Sequence, residues 1–289
     1  MVSAVEDRPT SSALRRTVVP KVARIGLNRP SKRNALSSEL RQQLDSAVAR
    51  AETEARVALL FSHGEHFCAG LDLAEAKGWM NDHERHLQMR VGSAAVARPF
   101  DSIARGRIPF VVALSGACIG GGFELASSCH IRVGDETTFF ALPEGQRGIY
   151  IGGGGSVRIA RLLGVARMSD LMLTGRVFTA EEGERFNLLQ YRVPKGEHVA
   201  RAASLAHRIA ENAPLTNWAI VNGLPRFEDL SYDDGLFIEG LVHHAVASPE
   251  SAQRLDEFVG GRAARLVEPG KSGDGIDAAG ASHKPKTSG

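Results

Sequence analysis

Cys118-Ile119-Gly120-Gly121-Gly122-Phe123-Glu124 sets three consecutive glycines between an apolar run and a carboxylate. Glycine lacks a Cβ, so its backbone enters conformations closed to other residues and its N–H can approach a ligand closely. That is one way to build an anion hole. The preceding run, Ile108-Pro109-Phe110-Val111-Val112-Ala113-Leu114, reads as a buried strand, and Glu124-Leu125-Ala126-Ser127-Ser128 reads as the opening of a helix. Glu124 then falls in the first turn, where a carboxylate can simply complement the helix dipole. The stretch carries both readings, and the wider pattern of the chain has to separate them.

Outward from this stretch, strands alternate with helices. Val22-Ala23-Arg24-Ile25-Gly26-Leu27 alternates as a strand does and stops at the turn signal Asn28-Arg29-Pro30. Ser38 to Glu54 carry Leu40, Leu44 and Val48 on one helix face, and Val57-Ala58-Leu59-Leu60-Phe61 is a second strand leading into a loop of small residues. A helical region is expected from about Glu75 to Ala104. Within it His83 and His86 could share a face, but the charges of Asp82, Glu84 and Arg85 mark a solvated surface rather than a metal site. Ile131-Arg132-Val133-Gly134 is another short strand.

Gly152-Gly153-Gly154-Gly155-Ser156 invites a phosphate-loop reading, yet Val157 and Arg158 stand where a Gly-Lys-Ser/Thr ending is required. The plainer expectation is a flexible approach to a helix capped by Ser156. Alternation through residue 200 predicts an α/β domain with parallel pairing. From Val199 to Arg265 the pattern is helical, with breaks at Ala213-Pro214 and near Pro225. The expected partition is a loose N-terminal segment over 1–15, a core over 16–200, a helical region over 201–266 and a disordered tail over 267–289.

Of the 289 residues, 43% are hydrophobic and 24% charged, enough for a sizeable core. The net charge of +2 recommends neither nucleic acid nor an anionic membrane as a partner. Cys68, Cys118 and Cys129 show no metal-ligand spacing and suit a reducing compartment. The N-terminal segment mixes Glu6 and Asp7 with Arg8, Arg15 and Arg16, without the apolar core of a secretory signal. A soluble, cytoplasmic protein is expected.

The ordered motifs resemble the crotonase, or enoyl-CoA hydratase/isomerase, superfamily. They are Leu27-Asn28-Arg29-Pro30 with Asn34-Ala35-Leu36; Phe67 to Leu73; Gly120 to Ala126; Pro143-Glu144; Leu173-Thr174-Gly175-Arg176 with Ala180-Glu181-Glu182; and Phe258-Val259 with Arg262. Each is common alone, whereas all six in this order are specific. The resemblance spans about Val22 to Arg265 and implies a spiral of ββα turns followed by a helical trimerisation region. Trimers or dimers of trimers are expected.

The resemblance further implies an acyl-CoA thioester as substrate, with coenzyme A part of that substrate and no separate cofactor or metal. The backbone N–H groups of Leu71 and Gly121 would hold the thioester oxygen. Lys32, Arg33 and Ala35 would lie along coenzyme A, with Ala69, Asp72 and Leu73 near its adenine and pantetheine, and Gly152 on the substrate side. Phe258 and Arg262 match positions that reach a neighbouring subunit's coenzyme A.

Glu124 and Glu144, separated by 20 positions (144 minus 124), match the two glutamates of the family's hydratases. In that role both hold one water, which adds to Cβ of a trans-2-enoyl-CoA. Water activation falls mainly to Glu124 and proton delivery to Cα mainly to Glu144. Isomerase branches keep one glutamate or place the second acid eight positions further on, where this chain has Gly152 (152 minus 144). Hydration is therefore favoured. Isomerase, hydratase-lyase and hydrolase reactions of the same oxyanion hole are the alternatives, as is an inactive binding protein of the same fold. His130, Phe140 and Ile151 depart from the family pattern. His130 suits a structural role, Phe140 and Ile151 are expected to reshape the acyl pocket or its loop, and Tyr150 and Trp79 could line it.

Overall fold

A computed structural model describes residues 14–19, 21–80 and 98–261. The strands are β1 (Leu14–Val19), β2 (Val22–Leu27), β3 (Val57–Ser62), β4 (Phe110–Leu114), β5 (Ala117–Ile119), β6 (Ile131–Asp135), β7 (Phe139–Ala141), β8 (Val177–Thr179) and β9 (Tyr191–Val193). They form two sheets, one ordered β1-β2-β3-β4-β6-β9 and the other β5-β7-β8. In the larger sheet β2 to β9 pair in parallel, and β1 pairs antiparallel with β2 from Leu14↔Leu27 to Val19↔Val22.

β1 begins inside the segment expected to be loose. Its Arg15 and Arg16 hide the strand from a reading by hydrophobic alternation, but charged residues are ordinary on a sheet edge.

The central strand β4 is apolar throughout and β3 is apolar as far as Phe61, because both faces of the sheet are covered. On one face Val57, Leu59, Val111, Ala113, Val133 and Val193 meet Ala202, Leu205, Ala206 and Ala210 of α8 (His198–Ala210). On the other, Ala58, Leu60, Val112 and Leu114 join the larger core with Leu40, Leu44, Ala47, Val48 and Ala51 of α1 (Ser38–Glu54). α1 matches its periodicity and is capped by Ser37, whose side chain accepts from the Leu40 N–H at 3.2 Å.

The chain passes from the larger sheet to the smaller one twice in the same way, β4 to β5 and β6 to β7. The first passage leads into α4 (Gly121–Ser128), and the second, through a short 3-10 turn, into α5 (Gly155–Leu163). These are the expected ββα turns. Their second strands span only three residues each, too few for sequence periodicity to register.

Further helices are α2 (Leu73–Met80), α3 over 98–105, α6 (Val165–Thr174), α7 (Ala180–Arg185), α9 (Pro214–Phe227), α10 (Tyr232–Ala245) and α11 (Pro249–Val259). Pro225 does not break α9 but lies in its last turn. α8 covers the sheet, so the expected boundary at 200 falls within the sheet's own packing. The chain divides into two compact units between Gly235 and Leu236, with α11 in the second. Among the described residues no helix is long and apolar enough to cross a membrane.

Candidate active site

Two loops build one side of the site, and Asn34 ties them together. Its Oδ1 accepts the Arg29 N–H at 2.7 Å, while its Nδ2 donates to the carbonyl oxygens of His63 and His66 at 3.0 and 2.8 Å. Asn34 is fully buried and left-handed, with φ at 53°, a conformation its short polar side chain tolerates better than most. Asn34→Ala would strand three backbone groups, and the expected result is a loss of about 2 to 3 kcal/mol. Equilibrium urea denaturation checks this, and an unchanged midpoint would show that the loops hold without the clamp.

From this clamp the chain runs as a short parallel bridge between Leu36 and Leu71. Leu36 N–H donates to the Gly70 carbonyl at 2.8 Å and Asp72 N–H to the Leu36 carbonyl at 3.2 Å. The Leu71 N–H lies between these bonds and points elsewhere. Gly70 sits against the glycine stretch, since a Cβ there would stand 2.8 Å from the Ile119 carbonyl oxygen and 3.4 Å from Gly121 N. A Cβ on Gly121 would lie 3.7 Å from Leu71 N. The two amides are thus brought together, and neither donates to an acceptor among the described residues.

Glu124 lies within α4, which begins at Gly121 rather than at Glu124 itself. It is 5% exposed, and its Oε1 accepts the N–H groups of Gly153 at 2.7 Å and Gly155 at 3.0 Å. The four-glycine stretch is therefore an amide cradle for Glu124. Helix α5 starts at Gly155 with Gly154 as its cap, so Ser156 is not the cap residue expected. The glycines leave room for the carboxylate: a Cβ on Gly155 would be 2.7 Å from Glu124 Cγ.

Glu144 follows β7 and is 7% exposed. Its Oε1 borders Gly120, and its buried Oε2 has no hydrogen-bond partner among the described residues. Burial pushes both carboxyls above the usual range. For Glu124 this is opposed by the amides of Gly155, Gly153 and Gly152 and by the Arg158 charge. For Glu144 its own backbone N–H and Arg147 oppose it, while the charge of Glu124 adds to it. The two carboxylates are therefore near enough to feel one another.

The remaining expected positions divide. Lys32 and Arg33 are exposed on their turn, Ala35 and Ala69 are half-buried, and Ala69 N–H donates to the Arg33 carbonyl at 2.9 Å. Asp72 is engaged by Arg29 at 2.6 Å, which holds its carboxyl below the usual range, and it also accepts the Ala74 N–H at the start of α2. Leu73 is 49% exposed. Gly152 belongs to the Glu124 cradle.

Phe258 is largely exposed on α11 in the second unit, and Arg262 lies outside the described residues, as do His83 and His86. Phe140 is a fully buried core residue, its ring 5.0 Å from that of Phe123, and Ile151 is buried in the same cluster. Tyr150 is largely exposed, and nothing is described of the Trp79 side chain. His130 accepts the Phe110 N–H at 3.0 Å through Nδ1, and burial lowers its pKa to about 4, so it serves as a neutral structural acceptor. Burial pushes the thiols of Cys68 and Cys129 up to about 12, which makes them inert. Among the described residues no three His, Cys, Asp or Glu side chains gather as a metal ion would need.

Two adjacent amides without an acceptor among the described residues thus stand beside two buried carboxylates at the turns of an α/β spiral. Residues 19–253 match the enoyl-CoA hydratase/isomerase family, and the chain belongs to that family. A mevalonyl-coenzyme A hydratase of Aspergillus fumigatus is 34% identical over 71% of this chain and 75% of its own. An enoyl-CoA hydratase of Mycobacterium tuberculosis is 32% identical over 74% of this chain and 81% of its own. Among solved structures, a candidate enoyl-CoA hydratase from Rhodopseudomonas palustris superposes with a TM-score of 0.81 at 42% identity, covering 89% of this chain and 98% of that one. The fold is the crotonase fold.

Proposed function

We propose that the protein is an enoyl-CoA hydratase that adds water across the double bond of a trans-2-enoyl-CoA. The observation that carries this reading is the meeting of two buried carboxylates, Glu124 and Glu144, beside the Leu71 and Gly121 amides. The amides donate to the developing enolate oxygen, and preorganised donors of this kind are worth about 3 to 4 kcal/mol each in comparable sites. Glu124 takes a proton from water as its oxygen bonds to Cβ. Glu144 gives its own proton to Cα, and the site returns to its starting charge after proton exchange.

The hydrogen bonds favour this division of labour. Glu124 Oε1 carries the amide donors that steady an anion, whereas Glu144 Oε2 has no donor among the described residues and feels the charge of Glu124. Names of the relatives support an acyl-CoA substrate, one being a mevalonyl-coenzyme A and another an enoyl-CoA hydratase. Coenzyme A would lie along Lys32, Arg33, Ala35, Ala69 and Leu73, with Asp72 fixing that loop through Arg29. The chemistry needs no further cofactor. The exposed Leu215, Trp218, Ile220 and Leu224 of α9 support self-association into the expected trimer, and the three buried free thiols fit a reducing, cytoplasmic setting.

Crotonyl-CoA tests the reaction through loss of its conjugated thioester absorbance on hydration. No loss at any enzyme concentration would remove short-chain hydration. The pH profile of kcat should be bell-shaped. Glu124 must be ionised and its pKa is raised, so the acid limb is expected above the usual carboxylate range. Glu144 must be protonated, so activity falls again as pH rises through its own raised pKa, the two limbs belonging to the coupled pair. An acid limb at the ordinary glutamate value would contradict this assignment.

A further inference from the structure

Glu124 depends on the glycine loop for its amide donors, yet the cap residue of α5, Gly154, has no side chain with which to hold that loop. The hold comes from behind. Arg158 of α5 donates through Nη2 to the Gly153 carbonyl and through Nη1 to Asp101 Oδ1 of α3 at 3.0 Å. That carbonyl belongs to the peptide joining residues 153 and 154. It lies between the two peptides, 152–153 and 154–155, whose N–H groups reach Glu124 Oε1 at 2.7 and 3.0 Å.

The loop is closed from a second side by Phe100. Its side chain is 1% exposed, and two of its ring carbons would stand 2.5 Å from a Cβ on Gly153. The Arg158 side chain is only 18% exposed, whereas that of Asp101 is 53% exposed. A half-buried guanidinium fork thus joins an outer carboxylate to the backbone that faces Glu124, and its planar geometry lets one side chain serve both partners.

We infer that Arg158 is a positioning residue for the hydration: anchored on Asp101, it clamps the Gly153 carbonyl so that the Gly153 and Gly155 N–H groups stay aimed at Glu124. This rests on the two-carboxylate reading above. The charged groups facing Glu124 are Glu144, from the segment after β7, and Arg158, with Arg147 acting on Glu144. Arg158 therefore favours the ionised form of Glu124 both by its charge and by the amides it aims.

Arg158→Gln tests the clamp. The expected result is a fall in kcat of about tenfold or more, since small misplacements of reacting groups are costly, with KM for crotonyl-CoA within about twofold. The acid limb of the kcat profile should move to higher pH, and Arg158→Lys, which keeps the charge but not the fork, should bring the limb only part of the way back while kcat stays below wild type. Wild-type kcat and limb in Arg158→Gln would overturn the proposal, and so would a fall in kcat with the limb unmoved, because that is a merely structural defect.

Where Arg158→Gln does not fold, Asp101→Asn reads the same anchor at an exposed carboxylate. A lower kcat at unchanged KM supports the clamp, and wild-type kcat overturns it. Should wild-type protein not hydrate crotonyl-CoA, the hydratase reading fails by itself. The clamp is then read without turnover, from the carbon-13 titration of the Glu124 carboxyl, assigned by its absence in Glu124→Gln. A higher pKa in Arg158→Gln supports the clamp, and an unchanged one overturns it.

Discussion

Glu144→Gln is expected to lower kcat for crotonyl-CoA hydration by about a thousandfold, the middle of the range for loss of a positioned acid, while leaving the protein at least as stable as wild type. The amide has the shape of the carboxyl it replaces but has no acidic proton to give to Cα. Stability follows from linkage. The Glu144 pKa is raised in the folded chain, so folding favours its protonated form, and that contribution is lost as pH rises through the folded pKa. It is the charged form of this buried side chain that opposes folding, and a neutral Gln has no such form. Initial rates and thermal melts on the same preparations check both halves. Full turnover in the variant would reject the two-carboxylate mechanism, whereas a lower melting temperature would mean that the loss of rate reports unfolding. Glu124→Gln should fall by a similar factor, and the double variant should not multiply the two losses, because the pair acts on one water.

How much of this was legible in the chain depended on the reach of each interaction. Helix α1 and strand β4 declared themselves through periodicity and a continuous apolar run, because their burial repeats along the local sequence. The glycine turn of α4 did not, since glycine is a poor helix former. Gly121 and Gly122 are helical because the space against Leu36 and Cys68 admits no side chain: a Cβ on Gly122 would stand 2.5 Å from the Cys68 carbonyl oxygen.

Site residues followed the same rule. Nothing local marks the Leu71 amide, which became visible only through family motifs, and the structure sets it beside Gly121. The stretch from Gly152 to Gly155 could be denied a phosphate role by its missing Lys-Ser/Thr ending, but its service to Glu124 is a pair of hydrogen bonds across 29 and 31 positions of chain. Arg158 carried no signal beyond standing three residues after Gly155. Phe140 shows the converse error, in which a departure from family pattern invited a role in the substrate pocket although the ring fills core space against Phe123.

Gly120→Ala should combine both kinds of damage at one atom. Gly120 has φ at 52° and ψ at −121°, a region essentially reserved for glycine, so any Cβ there is strained by about 1 to 3 kcal/mol. The same Cβ would also collide with Glu144 Oε1, and Gly120 N–H anchors the turn by donating to the Ala141 carbonyl at 3.0 Å. Relief must come from moving either the Glu144 carboxyl or the start of α4, which carries the Gly121 amide and Glu124. Whichever gives way, the acid, the base and the oxyanion donor no longer share one geometry, and kcat is expected to fall by about a hundredfold or more. Gly148→Ala separates strain from collision: its φ of 67° is also left-handed, but a Cβ there meets nothing within 4 Å. That variant should lose about 1 kcal/mol of stability and keep its kcat. If Gly120→Ala behaved like Gly148→Ala in rate as well as in stability, Glu144 would not be held against the glycine turn, and the assembly of the site around Gly120 would be wrong.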